Sequence, residues 1–199
     1  MSLVALAGYV DALAYIELGG FFVSFMSGNS THFGVGILSD GGYARLAAGL
    51  ILGFVFGAAL GSVVRHTAPR HGSAAVLICV SALLLIGAVA DILAIHWLPV
   101  VVMVMAMGAE NAVFERDGEL RLGLTYMTGN LVKVGQGLAG ALLGRARWAW
   151  LPQLMLWSSF VVGVIGGTLS HNAFGLQGLW GVALAAALLS FPTRRIVPA

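Results

Sequence analysis

The sequence predicts an all-α integral membrane protein that is built from two related halves. Hydrophobic residues make up 59% of the 199 residues and charged residues only 9%, whereas soluble domains carry about 25% charged residues. Apolar runs fill nearly the whole chain, and in lipid such runs form helices because backbone groups must pair within each segment. The lone Cys79 excludes an intramolecular disulfide. The slight excess of basic residues is typical of membrane topology and does not indicate nucleic-acid binding.

The duplication is visible in a motif, M-[ST]-G-N-x4-G-x-G, that occurs twice. It begins at Met26 and again at Met127, 101 residues later. Two further patterns recur at similar offsets: Gly8-x2-Asp11 with Gly108-x2-Asn111, and Phe54-x2-Gly57-x3-Gly61 with Phe160-x2-Gly163-x3-Gly167. A repeat of this kind predicts two copies of one structural unit. We therefore divide the chain into a first membrane repeat, 1–96, and a second, 97–199, which together form one transmembrane domain.

Each half contains four apolar stretches. Their approximate ranges are 3–18, 21–39, 43–66 and 73–95 in the first half, and 98–114, 122–144, 149–171 and 176–191 in the second. As one straight helix, 3–39 would be about 55 Å long, which exceeds the roughly 30 Å of the hydrocarbon core. The element must break, and the predicted places are Gly19-Gly20 and 27–29.

The distribution of arginines in the sequence distinguishes two possible topologies. If all eight stretches cross, as a parallel 4+4 repeat, the arginines divide five against four and give no orientation. If the first two stretches of each half make one net crossing, and Arg116, Arg121 and Lys133 are left out because they lie in or near the broken element, only Arg45 lies opposite the other arginines, which are Arg65, Arg70, Arg145, Arg147, Arg194 and Arg195. The second arrangement obeys the positive-inside rule. It predicts about six crossings in two inverted three-crossing repeats, with broken first elements and both termini in the cytoplasm.

Each third stretch carries a pair of glycines four residues apart, Gly57/Gly61 and Gly163/Gly167. Such pairs let two helices approach closely in lipid. They indicate packing within the chain or, alternatively, a homo-oligomer that forms through these faces.

The doubled motif has the composition of a helix start. Hydroxyl and amide side chains can cap free N–H groups, and glycine permits unusual backbone angles. A helix N-terminus inside the membrane suits an anion, and inverted repeats commonly place such ends together at a transport site. The predicted substrate-binding residues are Ser27, Gly28, Asn29, His32, Thr128, Gly129, Asn130 and Lys133. His32 and Lys133, three residues beyond each Asn, would supply positive charge; the alternative is a purely structural motif with Lys133 snorkelling to an interface.

The acidic residues with apolar neighbours on both sides are Asp11 and Glu110. Charged groups at membrane depth are costly and are functional candidates. Because burial disfavours the charged form of a carboxyl, either residue could take up a proton and couple it to transport. Weaker candidates for the same site are Asn111, Asp91 and Glu17.

The segment 8–29, which reads GYVDALAYIELGGFFVSFMSGN, and the stretch TYMTGN at 125–130 resemble the bacterial YoaK-type membrane proteins of the DUF1275 family. The resemblance covers essentially the whole chain. It implies a multi-pass protein of the bacterial inner membrane, usually described with six transmembrane segments, and it implies no substrate.

The leading hypothesis is a secondary transporter or channel for a small polar solute, preferably an anion. No nucleophile, metal or nucleotide motif is present in the sequence, so neither an enzyme nor a cofactor is expected. The predicted partners are the lipid bilayer and the solute. The alternatives are a non-catalytic membrane scaffold or assembly subunit, and a membrane-embedded lipid-modifying enzyme that uses Asp11, Glu110 and His32.

Overall fold

The computed structural model describes residues 1–116, 119–120, 126–144 and 147–193, and within these ranges it contains eight α-helices. The helices are α1 Ser2–Glu17, α2 Met26–Ser39, α3 Gly41–Thr67, α4 Gly72–Ile92, α5 Leu98–Glu110, α6 Met127–Leu142, α7 Leu151–Phe174 and α8 Leu179–Thr193. Short 3-10 helices at Asn111–Phe114 and Gly175–Gly178 extend α5 and join α7 to α8. Glu115–Arg116 (β1) and Glu119–Leu120 (β2) form a two-residue antiparallel pair.

The lengths of the helices confirm an all-α membrane protein. Three apolar helical runs in the described residues are long enough to cross a bilayer, namely α3, α4 and the run Leu151–Phe191. The run Leu98–Phe114 is apolar but shorter. Helices α1 and α2, with 16 and 14 residues, rise only about 24 Å and 21 Å, so neither spans a core of about 30 Å by itself.

The chain breaks between α1 and α2, at the first of the two predicted places. Gly19 and Gly20 have φ angles of +64° and +113°, which side chains with a Cβ rarely adopt, and they end α1. The motif residues 27–29 lie in the first turn of α2 and not in the break itself. The prediction of a second break at these residues is therefore wrong, whereas their assignment to a helix start is confirmed for both copies.

The first helix of each half packs against the third helix of the other half. A Cβ added to Gly163 would collide with the backbone of Ala5, and one added to Gly57 would collide with the backbone of Met105. The same holds for three further glycines of the repeat and their neighbours: Gly167 with Tyr9, Gly61 with Ala109, and Gly8 with Phe160. Glycine is required at these positions because the helix backbones are in contact. The Gly57/Gly61 and Gly163/Gly167 faces are thus covered within the chain, so a homo-oligomer would have to use other surface.

The order of these contacts gives the helix directions. Residue numbers rise together along α1 and α7, and along α5 and α3, so both pairs are parallel. Helix α4 is antiparallel to α8, since Ser81 Oγ near its middle donates to Ala183 O at 2.8 Å while Asp91 at its end meets Gln177. It is also antiparallel to α5, because Gly87 contacts Pro99 near the start of that helix. The buried core lies mainly among α1, α4, α5 and α8.

Candidate functional site

A cavity of about 750 Å³ lies where the N-terminal ends of α2 and α6 meet. Its lining comes from the segment before α2 and the start of α2, from α3, from the 3-10 turn and β1 that follow α5, and from the start of α6. The lining residues are Ser24, Phe25, Met26, Ser27, Phe54, Ala58, Ser62, Asn111, Ala112, Glu115, Tyr126, Met127 and Thr128. The fold therefore brings both copies of the doubled motif to one cavity, through Ser27 of one copy and Thr128 of the other.

Asp11 holds the break in the first half. Its carboxylate Oδ1 accepts hydrogen bonds from the backbone N–H of Val23 at 2.8 Å and of Ser24 at 2.9 Å. The side chain is only 4% exposed, and burying a carboxylate is costly. The two charge-assisted hydrogen bonds offset much of this cost. Asp11 thus positions the segment that leads into α2, and it places Ser24 at the cavity wall.

Asn29 has a second structural task at the same break. Its Nδ2 donates to the carbonyl oxygen of Phe22 at 2.6 Å, and its Oδ1 accepts from the N–H of Phe22 at 3.1 Å. The side chain is fully buried. In the second half Asn130 is 9% exposed, and the position equivalent to Phe22 is Gly123, which lies outside the described residues. The buried Asn29 therefore fixes the backbone and does not face the cavity.

The predicted side-chain capping by the motif hydroxyls is not found. Neither α2 nor α6 has a capping hydrogen bond from its own N-cap side chain, and the N-cap residues are Phe25 and Tyr126. Ser27 and Thr128 are exposed at the cavity instead. In the described part of the chain neither hydroxyl has a hydrogen-bond partner, so both are available to a bound molecule.

The 3-10 turn Asn111–Phe114, which follows α5, forms another part of the cavity wall. Arg65 donates to the carbonyl oxygens of Ala112 at 3.1 Å and Val113 at 3.0 Å, and to Ser73 Oγ at 2.8 Å. From its position in the sequence, Arg65 is expected to be a loop arginine. In the fold, its hydrogen bonds hold the 3-10 turn that brings Asn111 to the cavity.

A polar pair from α3 and β1 borders this turn. Glu115 Oε1 accepts from Ser62 Oγ at 3.0 Å, and both residues line the cavity. A carboxyl group thus forms part of the wall beside the N-terminal ends of α2 and α6.

Glu110 has no such partner. It is 1% exposed at the end of α5, and neither carboxyl oxygen makes a hydrogen bond within the described residues. The equivalent position in the first half is Val10, which is fully buried as well. Because burying an unpaired carboxyl group is costly, packing does not explain a glutamate where the other half has valine. Glu110 directly precedes Asn111 of the cavity wall.

Of the thirteen predicted site residues, Ser27, Asn111 and Thr128 line the cavity and the other ten do not. Four of these ten lie on other surfaces or make other contacts. The ring of His32 packs on Phe21, with 4.5 Å between ring centroids, and Lys133 is exposed on α6. Glu17 lies 3.5 Å from His171 at the ends of α1 and α7. The carboxylate of Asp91 accepts a hydrogen bond from the side-chain amide of Gln177 between α4 and the start of α8. Among the described residues, the charged side chain at the cavity wall is Glu115.

Several cavity residues were not predicted. Phe25 and Tyr126 immediately precede the two motif copies, and an extension of the repeat by one position would have shown an aromatic residue in both. Phe54, Ala58 and Ser62 are spaced by four residues along α3, a spacing that marks one helix face. Three arginines used for the six-crossing topology, Arg145, Arg194 and Arg195, lie outside the described residues.

These features define the class of protein: a multi-helical membrane protein in which two half-length helices start at a shared polar cavity. The family model described as "Protein of unknown function (DUF1275)" matches residues 1–191, and the chain belongs to this family. A UPF0700 transmembrane protein from Rhizobium meliloti (strain 1021) is 37% identical over 186 residues, which is 93% of this chain and 80% of that protein. No solved structure matches the chain.

Proposed function

We propose that the protein is a secondary transporter or channel for a small polar solute, which binds in the cavity between the N-terminal ends of α2 and α6. The observation that carries this proposal is the meeting of Ser27 and Thr128, one from each half, at a single cavity of about 750 Å³. Cavities of roughly 300–1,000 Å³ accommodate small ligands. A scaffold that only assembles with other proteins has no need of this space.

The solute should accept hydrogen bonds. Helices α2 and α6 both begin at the cavity, and the first N–H groups of a helix have no partner within it. The two free hydroxyls of Ser27 and Thr128 add donors. The positive ends of the helix dipoles favour an anion, although His32 and Lys133 do not line the cavity. The carboxyl group of Glu115 at the same wall opposes an anion.

The two halves are oppositely oriented in this proposal. Helix α1 is parallel to α7, and α4 is antiparallel to both α8 and α5. We propose that α7 reverses direction into α8 at the turn Gly175–Gly178, where Gly178 comes back against Ser170 of α7. Therefore α1 and α5, the first helices of the two halves, point in opposite directions. Each continues in its own direction through the following half-length helix, α2 or α6, and the pair makes one crossing. This gives six crossings in two inverted repeats.

The arginines then set the orientation. Arg65 lies in the last turn of α3, Arg70 follows this helix, and Arg147 precedes α7, so all three share a membrane side in the inverted arrangement. Arg45, near the start of α3, lies on the other side. The positive-inside rule makes the arginine-rich side cytoplasmic, and it places both ends of the chain there, in a bacterial inner membrane.

Glu110 is the proposed proton-coupling group. Asp11 already has two N–H partners and a structural task, whereas Glu110 has none in the described residues. A buried carboxyl group that lacks a fixed partner can bind and release a proton when a change in the structure gives it access to water. No covalent chemistry is proposed for the protein.

Flux into proteoliposomes tests the binding site. Ser27→Ala combined with Thr128→Val removes both free hydroxyls without changing buried backbone contacts, and it should reduce the flux of any transported solute by about tenfold or more, since each lost hydrogen bond contributes about 0.5–1.5 kcal/mol. Nitrate, acetate and neutral glycerol serve as probes. Ser30→Ala is the matched control, because Ser30 is exposed on α2 and bonds only to Met26 O. Equal flux in the double variant and the wild type would remove the proposed site.

A further inference from the structure

Two aromatic residues occupy equivalent positions at the cavity. Phe25 and Tyr126 each precede a copy of the doubled motif, both line the cavity, and their side chains are 37% and 67% exposed. Apolar rings at a polar cavity contribute no hydrogen bonds from their faces. The presence of an aromatic residue at this position in both halves therefore indicates a role other than solute binding.

Each ring lies directly over the glycine of its own motif. A Cβ on Gly28 would approach the ring of Phe25 to less than 3.0 Å, and a Cβ on Gly129 would do the same to the ring of Tyr126. Any other residue would push the ring away from the helix. The glycine of each motif thus provides a flat surface on which an aromatic ring rests beside the cavity.

The two rings belong to elements of opposite direction. Phe25 is the N-cap residue of α2 and Tyr126 that of α6, and in the inverted arrangement these helices run from the cavity toward opposite membrane faces. An exposed side chain can change rotamer on the nanosecond scale, and a ring that rests on glycine meets no Cβ when it moves.

We infer that Phe25 and Tyr126 control access to the cavity, one ring for each membrane face, and that together they set the largest solute that enters. This inference rests on the proposed function, since it requires a cavity that water and solute reach. It assigns the glycines of the doubled motif to the seating of these rings.

Thiol labelling tests access without knowledge of the solute. In a Cys79→Ala background, a single cysteine is introduced by Ser27→Cys or by Thr128→Cys, and a small and a bulky membrane-impermeant methanethiosulfonate are added to right-side-out or inside-out vesicles. Phe25→Ala should raise the labelling rate several-fold from one face, and Tyr126→Ala should raise it from the opposite face. The bulky reagent should show the larger increase.

Three further variants serve as controls. Tyr126→Phe keeps the ring and should label like its parent. Phe33→Ala removes an aromatic ring that is 39% exposed on α2 but does not line the cavity, so it should have no effect. Phe25→Leu, a milder change than alanine, should give an intermediate rate and separates access from misfolding.

The outcomes distinguish the inference from the proposed function. If the introduced thiols react in the parent but neither aromatic substitution changes the rates, or if both act at the same face, the access role is overturned and the cavity stands. If neither thiol reacts from either face, even when both rings are removed, the cavity is closed to water and the proposed function fails together with the inference.

Discussion

Gly163 and Gly166 lie three residues apart on α7 and should respond in opposite ways to alanine. A Cβ on Gly163 would lie 2.7 Å from the carbonyl carbon and 2.9 Å from the Cα of Ala5, whereas a Cβ on Gly166 has Tyr9 Cδ2 at 3.8 Å as its nearest neighbour. Ordinary van der Waals contact begins near 3.4 Å. Because the atoms that meet Gly163 are backbone, α1 must move away from α7 by more than half an ångström.

The expected magnitudes follow from two opposing terms. Gly→Ala in a helix gains about 0.5–1 kcal/mol of stability, and overpacking costs about 1–3 kcal/mol. Gly166→Ala should therefore raise the melting temperature by about 1–4 °C, on the scale known for chains of this size. Gly163→Ala, in which the cost of overpacking opposes this gain, should lower the melting temperature by up to about 10 °C.

Thermal unfolding in detergent measures the difference. Cys79 is half buried and is the single cysteine, so a dye that fluoresces on reaction with thiols reports unfolding. Gly57→Ala, at the equivalent position of α3, meets the backbone of Met105 and should be destabilised like Gly163→Ala. Equal melting temperatures for Gly163→Ala and Gly166→Ala would refute the close contact between α1 and α7.

Two further substitutions separate stability from function. Glu110→Val introduces the residue type found at the equivalent position, Val10. It should raise the free energy of unfolding by about 1–3 kcal/mol, because an unpaired buried polar group is removed, and it should abolish solute flux. A drop in stability would show that the carboxyl group has a partner. Asn29→Leu leaves the N–H and carbonyl groups of Phe22 without partners and should cost about 2–4 kcal/mol, against less than about 0.5 kcal/mol for Ser30→Ala on the exposed face; similar losses would mean that Asn29 does not fix the break.

The doubled motif was the most informative part of the sequence, and its location was predicted better than its role. Both copies start helices, as expected. The expected hydroxyl caps are absent, since Ser27 and Thr128 lie at the cavity and make no capping hydrogen bond. Asp11 from α1 accepts the N–H groups of Val23 and Ser24, which lie before α2, so the fold and not the spacing of the motif decides which group holds the entry to this helix.

The partners of buried polar groups were beyond the sequence for the same reason. Arg65 lies 47 residues from the carbonyl of Ala112 that it holds. His32 and Lys133 occupy equivalent positions, five residues beyond Ser27 and Thr128 of the cavity wall, and five residues of helix turn a side chain by about 140°. A rotation of 100° per residue separates neighbours along a helix, so presence near a motif does not determine which face a side chain occupies.

By itself, the sequence determined a helical membrane protein, the duplication and the place of the first break, because these depend on apolar length, on glycine and on recurrence along one chain. Only the tertiary structure decided that the first helix of each half packs on the third helix of the other. That exchange covers the Gly57/Gly61 and Gly163/Gly167 faces and brings Ser27 to Thr128. This pairing of helices depends on which surfaces fit together in three dimensions. A face of small residues carries no charge or sequence pattern from which its partner helix could be predicted.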